Sequence, residues 1–193
     1  MSYIKKIKKS TVESFLGTHL VPNIICIGAD TAMYHTAFAI IRTTDAYIIL
    51  ESLDKIEVPK LGKKMTTEQV LNNVDLYTEQ LDDLKNKWSK LYKFDFVDIE
   101  DCFYQFSVKT TKTLAYNGIL TYDRLKRISK KATLTMPNSA RAKINYKKPQ
   151  KKMTKTELKN SIIEYVNMAL DTKITNQDEA DSIVLALAGC VEV

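Results

Sequence analysis

Glycine and proline are scarce in this chain of 193 residues, which contains 5 Gly and 4 Pro. This scarcity leaves little room for long structureless linkers, and a hydrophobic content of 45% with 27% charged residues excludes global disorder. The sequence also lacks any run of roughly 18 uninterrupted apolar residues, the length that a membrane-spanning helix needs. We therefore expect an ordinary globular protein with no membrane partner.

Cysteine is scarce too, and its spacing does not suggest a metal site. Cys26, Cys102 and Cys190 form no C-x-x-C pair. Zinc and disulfides are therefore not expected. We expect a reducing intracellular location, the cytoplasm of a host cell, in association with the nucleoid. The basic N-terminal stretch lacks the continuous apolar segment of a secretory signal, while an organellar presequence stays open.

The chain has a formal net charge of +6, and its positive charge is concentrated in one segment. Residues 109–159 contain 15 Lys and Arg against 2 acids, whereas residues 1–108 and 160–193 both carry an excess of acids. A basic block between acidic segments indicates a surface for a phosphate backbone beside a cation site. A solvated lysine-rich surface is the alternative interpretation of the same charges.

Strand and helix patterns alternate along the chain. The hydrophobic pattern predicts strands at 24–28, 36–43, 46–52, 94–99 and 132–136, and helices at 67–92 and 108–130, from 155 and at 176–190. We expect an α/β fold, a mixed five-stranded sheet flanked by helices. Residues 1–20 are expected to form an N-terminal extension to a single domain at 21–193, with loops at 56–66 and 138–152. Within the second helix, Ile119 is expected to face the core and Asn117-Gly118 to loosen the helix.

Four carboxylates lie on three well-separated segments of the sequence. Asp30 ends the apolar run IICIGAD, Glu100 ends FDFVDIE, and Asp178 and Asp181 open the apolar helix QDEADSIVLALAG. Capping of turns and helices accounts for individual acids, but a buried carboxylate is costly unless it is paired or holds a cation. Because ligands of such sheets bind at the carboxyl ends of strands, we expect one pocket. Oxygen ligands alone suit two Mg²⁺ or Mn²⁺ ions, a pair able to promote phosphodiester hydrolysis.

These segments carry a resemblance to a known family. IICIGADTAMYHTAFAII, VDIEDCFY and DEADSIVLALAG resemble the acidic motifs of RuvC-family Holliday junction resolvases, within the RNase H-like superfamily. The resemblance implies an RNase H-like nuclease domain and a Mg²⁺-dependent endodeoxyribonuclease without a small-molecule cofactor. It also implies a homodimer that cuts a four-way DNA junction by paired symmetric nicks. Asp30, Glu100, Asp178 and Asp181 would then be both catalytic residues and metal ligands.

The basic segment ARAKINYKKPQKKMTKTEL is similar to the basic stretch of the same family. This similarity implies that Lys143 and Lys155 act at the scissile phosphate, and a capping box at Thr154 independently puts Lys155 at a helix N-terminus, which favours anions. Phe103 matches an aromatic residue that wedges into the junction, with a core Phe as the alternative. The expected DNA-contacting residues are Phe103, Arg141, Lys143, Lys147, Lys148, Lys151, Lys152 and Lys155.

The match departs from the family pattern at two places, and other functions stay open. Thr31-Ala32 replaces the usual Pro-Gly, and Tyr146–Lys152 replaces a Gly-rich turn, which suggests a phage- or virus-type member. His35 is expected to face solvent. The alternatives are a broader flap or fork nuclease and a non-cleaving junction-binding protein on the same fold. A sugar-kinase-type phosphotransferase is disfavoured, because a second Gly-rich phosphate loop is missing.

Overall fold

A computed structural model describes residues 5–62, 66–101, 108–147 and 154–191, with the backbone alone at 108–114 and 155. Six strands are present in this part: Lys5–Lys8 (β1), Ile25–Thr31 (β2), His35–Thr43 (β3), Tyr47–Glu57 (β4), Phe94–Glu100 (β5) and Ser129–Thr135 (β6). The helices in the same ranges are Lys9–Leu16 (α1), Thr67–Leu91 (α2), Val108–Leu125 (α3), Pro137–Lys143 (α4), Lys155–Leu170 (α5) and Gln177–Gly189 (α6). No described helix has the length and apolar character that crossing a membrane requires.

The strands form one mixed sheet in the order β1-β4-β3-β2-β5-β6. Strands β1 to β4 pair antiparallel, while β2–β5 and β5–β6 are parallel. The predicted α/β class is confirmed, but the sheet has six strands and not five. The additional strand, β1, lies in the predicted N-terminal extension. Its four residues, KKIK, include a single apolar side chain, which is too short a pattern to identify a strand.

Different helices cover the two faces of the sheet. Buried residues of α1, α4, α5 and α6 form one core, and those of α2 and α3 form the other. Neighbouring residues of β2 alternate between these cores, with Cys26 in the first and Ile27 in the second. Because both faces are covered, β2 and β3 contain continuous apolar runs and not alternating ones.

Helix starts agree with the capping residues in the sequence. The Thr154 hydroxyl accepts a hydrogen bond from the Glu157 N–H at 3.2 Å, and the Glu157 carboxylate accepts one from the Thr154 N–H at 2.7 Å. This is the reciprocal capping box that was predicted for α5. At α6 the Asn176 side chain accepts from the Asp178 N–H at 2.8 Å. Capping thus defines where the helix bearing Asp178 and Asp181 begins.

Three predicted boundaries were wrong. Helix α3 ends at Leu125 and not at residue 130, because Ser129 already pairs with β5. Strand β4 continues to Glu57, so that Ile56, predicted to begin a loop, is fully buried in the hairpin. The predicted basic loop begins with a helix, α4, which has Pro137 in its first turn. Tertiary pairing decides the first two cases, since isolated patterns locate element ends poorly.

The inward face of α3 also differs from the prediction. Ile119 is 59% exposed, whereas Asn117, Thr121 and Leu125 are buried at a spacing of four residues. The Thr121 hydroxyl lies 2.7 Å from the Tyr77 hydroxyl of α2, which lies 3.0 Å from the Thr36 hydroxyl of β3. Two polar residues therefore occupy the core-facing stripe, and a search for apolar periodicity alone overlooks them.

Helix α6 lies directly against β2 because Gly28 has no side chain. A Cβ atom at Gly28 would lie 2.0 Å from the Ser182 carbonyl oxygen and 2.3 Å from the Ala186 nitrogen, both backbone atoms of α6. Backbone atoms of a buried helix cannot move aside without displacing the whole helix. Gly28 therefore determines how closely α6 approaches the sheet.

We predict that Gly28→Ala destabilises the protein by about 3 kcal/mol, because the new methyl group overpacks the contact between β2 and α6. Urea unfolding followed by circular dichroism measures this loss. Gly62→Ala is the matched control, since a Cβ atom at Gly62 has nothing within 4 Å. Equal stabilities of the two variants would contradict the assigned role of Gly28.

Candidate active site

Two of the four acids meet at the end of the central parallel strand pair. Asp30 is the penultimate residue of β2, and Glu100 is the last residue of β5. The pairing of Ala29 with Ile99 places the next residues, Asp30 and Glu100, side by side. Each carboxyl group is close enough to the other to affect its pKa. Asp30 lies within β2, whereas the predicted strand at 24–28 had placed it after the strand.

The other two acids approach the same point from α6. Asp178 and Asp181 lie in the first two turns of that helix, and both contribute negative charge at Asp30 and at Glu100. All four predicted acids therefore come together around the carboxyl ends of β2 and β5. The close contact of α6 with Gly28, two residues before Asp30, produces this convergence.

Burial and mutual repulsion raise the pKa values of the central pair. Asp30 is 8% exposed, and its pKa is well above the usual value of 3.8, because of burial first and then the hydrogen bond and charge of Glu100. Burial and the charges of Asp181 and Asp178 raise the pKa of Glu100, while Asp30 and Arg141 oppose this rise. Burial and mutual repulsion thus disfavour the doubly ionised form of this pair.

Protein donors occupy Asp181. The Arg141 guanidinium donates from Nη2 to Oδ1 at 2.9 Å, and Gln177 donates from Nε2 to Oδ2 at 2.9 Å. The Arg141 and Asp181 side chains are only 16% and 13% exposed. Arg141 was predicted as a DNA contact, and the structure places it in a largely buried ion pair with an expected metal ligand. Because α4 was predicted as a loop, the sequence offered no reason to place its arginine there.

His35 is the functional neighbour that sequence reasoning missed. Its Nε2 atom lies 2.8 Å from the Asp178 Oδ2 atom, and its side chain is 43% exposed. His35 is thus partly exposed, in line with the expectation, but it also contacts an expected metal ligand, which was not predicted. His35 begins β3, and the tight hairpin after β2 returns the chain to the edge where Asp30 lies. Its position five residues after Asp30, on the return strand of a predicted hairpin, was the available signal.

The turn between β2 and β3 is held by α3. Asn117 donates from Nδ2 to the Ala32 carbonyl at 2.9 Å, and Gly118 packs next to Thr31. The prediction that Asn117-Gly118 loosens the helix was wrong, because α3 continues through both residues. Asn117 instead anchors the backbone immediately after Asp30.

A further acid, Asp98, lies two residues before Glu100 on the same side of β5. It is fully buried, and its Oδ1 atom accepts a hydrogen bond from the Thr133 hydroxyl at 2.9 Å. Burial raises its pKa, which the threonine hydrogen bonds and the charge of Lys143 lower in part. The exposed Lys143 thus lies on the α4 side of the sheet, near the acids.

The remaining predicted DNA contacts are only partly visible. Lys147 is exposed, four residues after the end of α4. Lys155 begins α5, where only its backbone is described. The other predicted contacts, Phe103, Lys148, Lys151 and Lys152, lie outside the described residues.

The donor set fits hard divalent cations. Four carboxylates converge, two of them are buried without a full countercharge, and Mg²⁺ or Mn²⁺ prefers such oxygen ligands. Within the ranges that the structure describes, however, no group of three or more His, Cys, Asp or Glu side chains is arranged to hold a metal ion. Asp178 instead contacts His35, and Asp181 forms an ion pair with Arg141.

Comparisons with known proteins place the fold. No family model matches the sequence, and no curated protein matches it. Thermus thermophilus RuvC in complex with a Holliday junction substrate has a TM-score of 0.60 at 10% identity, covering 86% of this chain and 92% of that one. A second Thermus thermophilus RuvC structure gives 0.60 at 9% identity, with 85% and 92% covered. The yeast mitochondrial Holliday junction resolvase Ydc2 gives 0.52 at 11% identity, with 92% and 83% covered.

These likenesses confirm the fold that the acidic motifs predicted. The chain has a mixed sheet flanked by helices like that of the RuvC structures, over most of its length. Because the identities are 9–11%, the likeness establishes the fold and leaves the activity to be inferred from the site.

We predict that Asp30→Asn stabilises the metal-free protein at alkaline pH by roughly 0.5–2 kcal/mol, as removal of a strained functional group often does. A pKa raised in the folded state means that the ionised group opposes folding. Wild-type stability should therefore fall as the pH rises from 3.8 through the raised pKa of Asp30, and the advantage of the variant should grow.

Thermal unfolding in EDTA at several pH values between 5 and 9 measures this advantage. Asp75→Asn on the exposed side of α2 is the matched control and should change the stability little at any pH. A variant Asp30→Asn that is less stable than the wild type throughout would contradict the assigned electrostatics.

Proposed function

We propose that the protein is a metal-dependent, structure-selective DNA endonuclease that resolves four-way junctions by paired symmetric nicks. The observation that carries this proposal is the convergence of Asp30, Glu100, Asp178 and Asp181 at one edge of a RuvC-like sheet. A fold alone does not imply an activity, but this fold with four acids at the carboxyl ends of its central strands supports phosphodiester hydrolysis.

Each acid has a distinct part in the proposed site. Asp30 interacts with all three other acids and would be shared by both cations, while Glu100 and Asp181 would flank it and Asp178 would complete the set. Two bound Mg²⁺ or Mn²⁺ ions would supply an activated water and stabilisation of the leaving oxygen. The chain itself holds these acids close together, which raises the pKa values of Asp30 and Glu100.

The basic block supplies the proposed DNA surface. Lys143 and Lys155 would contact the phosphate at the cut, and the capping box places Lys155 at the N-terminus of α5, where anions are favoured. Lys147, Lys148, Lys151 and Lys152 would contact the DNA backbone, where Lys and Arg supply most of the affinity. Phe103 would wedge into the branch point.

The proposed assembly is a homodimer, because a four-way junction has two equivalent strands to cut and each subunit carries one acidic cluster. The expected setting is intracellular, with branched DNA as the partner. A non-cleaving junction-binding protein is the second candidate, and the occupied carboxylates of Asp178 and Asp181 are the observation that favours it.

We predict that Asp30→Asn and Asp181→Asn each reduce cleavage of a synthetic four-way junction in Mg²⁺ by roughly 10³-fold, which corresponds to about 4 kcal/mol of lost transition-state stabilisation. Junction affinity, measured by gel shift in EDTA, should change by less than about threefold, because the basic block is intact. Asp75→Asn serves again as the control and should cleave like the wild type. Undiminished cleavage by both site variants would refute the proposed site, and a wild type that binds junctions but never nicks them would favour the second candidate.

We also predict where the nicks fall. On a mobile junction with both strands of each arm labelled in turn, paired nicks should appear at symmetric positions in two opposing strands, and the ends should be ligatable. Single nicks on flaps and forks at similar rates would instead identify a broader branched-DNA nuclease.

A further inference from the structure

Arg141 holds the side chain of Asp181 in a largely buried ion pair. The donor is Nη2 and the acceptor is Oδ1, at 2.9 Å, while Gln177 binds the second oxygen of the same carboxylate. Asp181 therefore has both oxygens engaged by the protein. A cation that binds Asp181 through Oδ1 must share that oxygen with Arg141 or replace Arg141 there.

The helix that carries Arg141 is firmly anchored. Ala140 and Ile144, on either side of Arg141, are fully buried in the core beside α6. The Ile144 carbonyl accepts a hydrogen bond from the Tyr165 hydroxyl of α5 at 2.5 Å. The guanidinium therefore reaches Asp181 from a rigid base, and only its own side-chain torsions allow it to leave.

The ion pair is incompletely satisfied. The Arg141 Nε atom is buried without a hydrogen-bond partner among the described residues, and so is the Gln177 Oε1 atom. Leaving a buried donor without a partner is costly, and a guanidinium can donate two parallel hydrogen bonds to one phosphate. A phosphate group that accepts two hydrogen bonds is thus a better partner for Arg141 than Asp181, which accepts only one.

We infer that Arg141 is a positioning residue that competes with the divalent cation for Asp181 and is drawn away by a DNA phosphate. This inference rests on the proposed function. In the free protein Arg141 neutralises Asp181 and keeps cation affinity low. When a backbone phosphate binds the guanidinium, Oδ1 of Asp181 becomes available, so cation binding and DNA binding strengthen one another. Because such coupling is reciprocal, each ligand must raise the affinity for the other by the same factor.

Cation affinity without DNA tests the competition. Mn²⁺ binding is measured by calorimetry on the wild type, Arg141→Gln and Arg141→Lys, and each metal-free protein is also melted. Arg141→Gln should bind Mn²⁺ about tenfold more tightly, within the usual range of coupling between sites. The same variant should be less stable without metal, because Asp181 loses its countercharge. Arg141→Lys keeps the charge and should bind Mn²⁺ nearly as the wild type does.

The matched control is Arg124→Gln, which removes another arginine paired with carboxylates, at Asp82 and Asp123. It should lower stability slightly and leave the Mn²⁺ affinity unchanged. A purely structural role for Arg141 would make Arg141→Gln both less stable and weaker in Mn²⁺ binding, and that result would overturn the inference, as would an unchanged affinity.

The DNA part of the inference is tested with Ca²⁺ and a four-way junction, with gels on the same samples so that only uncut junction enters the fit. Ca²⁺ should tighten junction binding by the wild type about tenfold and by Arg141→Gln less than about threefold. Equal tightening in both proteins would overturn the coupling. A wild type that binds neither Mn²⁺ nor Ca²⁺ would instead refute the proposed metal site itself, so the two failures are distinguishable.

Discussion

The close contact between Gly28 and the backbone of α6 is the constraint on which the rest of the site depends. With no side chain at Gly28, the helix lies on β2 at backbone distance from Ser182 and Ala186. The helix therefore delivers Asp178 and Asp181 to the strand end that carries Asp30 two residues later. A wider separation, as any larger residue would impose, would move two of the four acids away from the other two.

The convergence of acids creates an electrostatic cost that the protein meets locally. The pKa values of Asp30 and Glu100 are raised, Asp178 contacts His35, and Asp181 forms an ion pair with Arg141. Asp178 and Asp181 thus have protein partners without a bound ion, whereas Asp30 and Glu100 are buried without a full countercharge. The cores on both faces of the sheet supply the stability that this cluster of like charges removes. Such compensation is common at functional sites.

Much of the fold could be predicted, because buried strands and capped helices leave strong local patterns. The strands around Cys26 and Val97 are apolar on both faces, and the Thr154 capping box marks the start of its helix. Other elements could not be predicted from local patterns. The short strand β1 has one apolar residue, α4 lies in a segment dominated by charge, and the inward face of α3 contains Asn117 and Thr121. Their structure depends on neighbours that are distant in the sequence.

For the site, the sequence by itself determined which acids belong together, since carboxylates at the ends of buried strands and in the first turns of a buried helix are costly unless they are paired or hold a cation. Only the tertiary structure decided their partners. Asp181 and Arg141 are 40 residues apart in the sequence, and His35 contacts Asp178 from β3, the strand beside β2. Such contacts depend on distances between packed elements. Gly28 and the anchored helix α4 establish these distances, and no local spacing in the sequence encodes them.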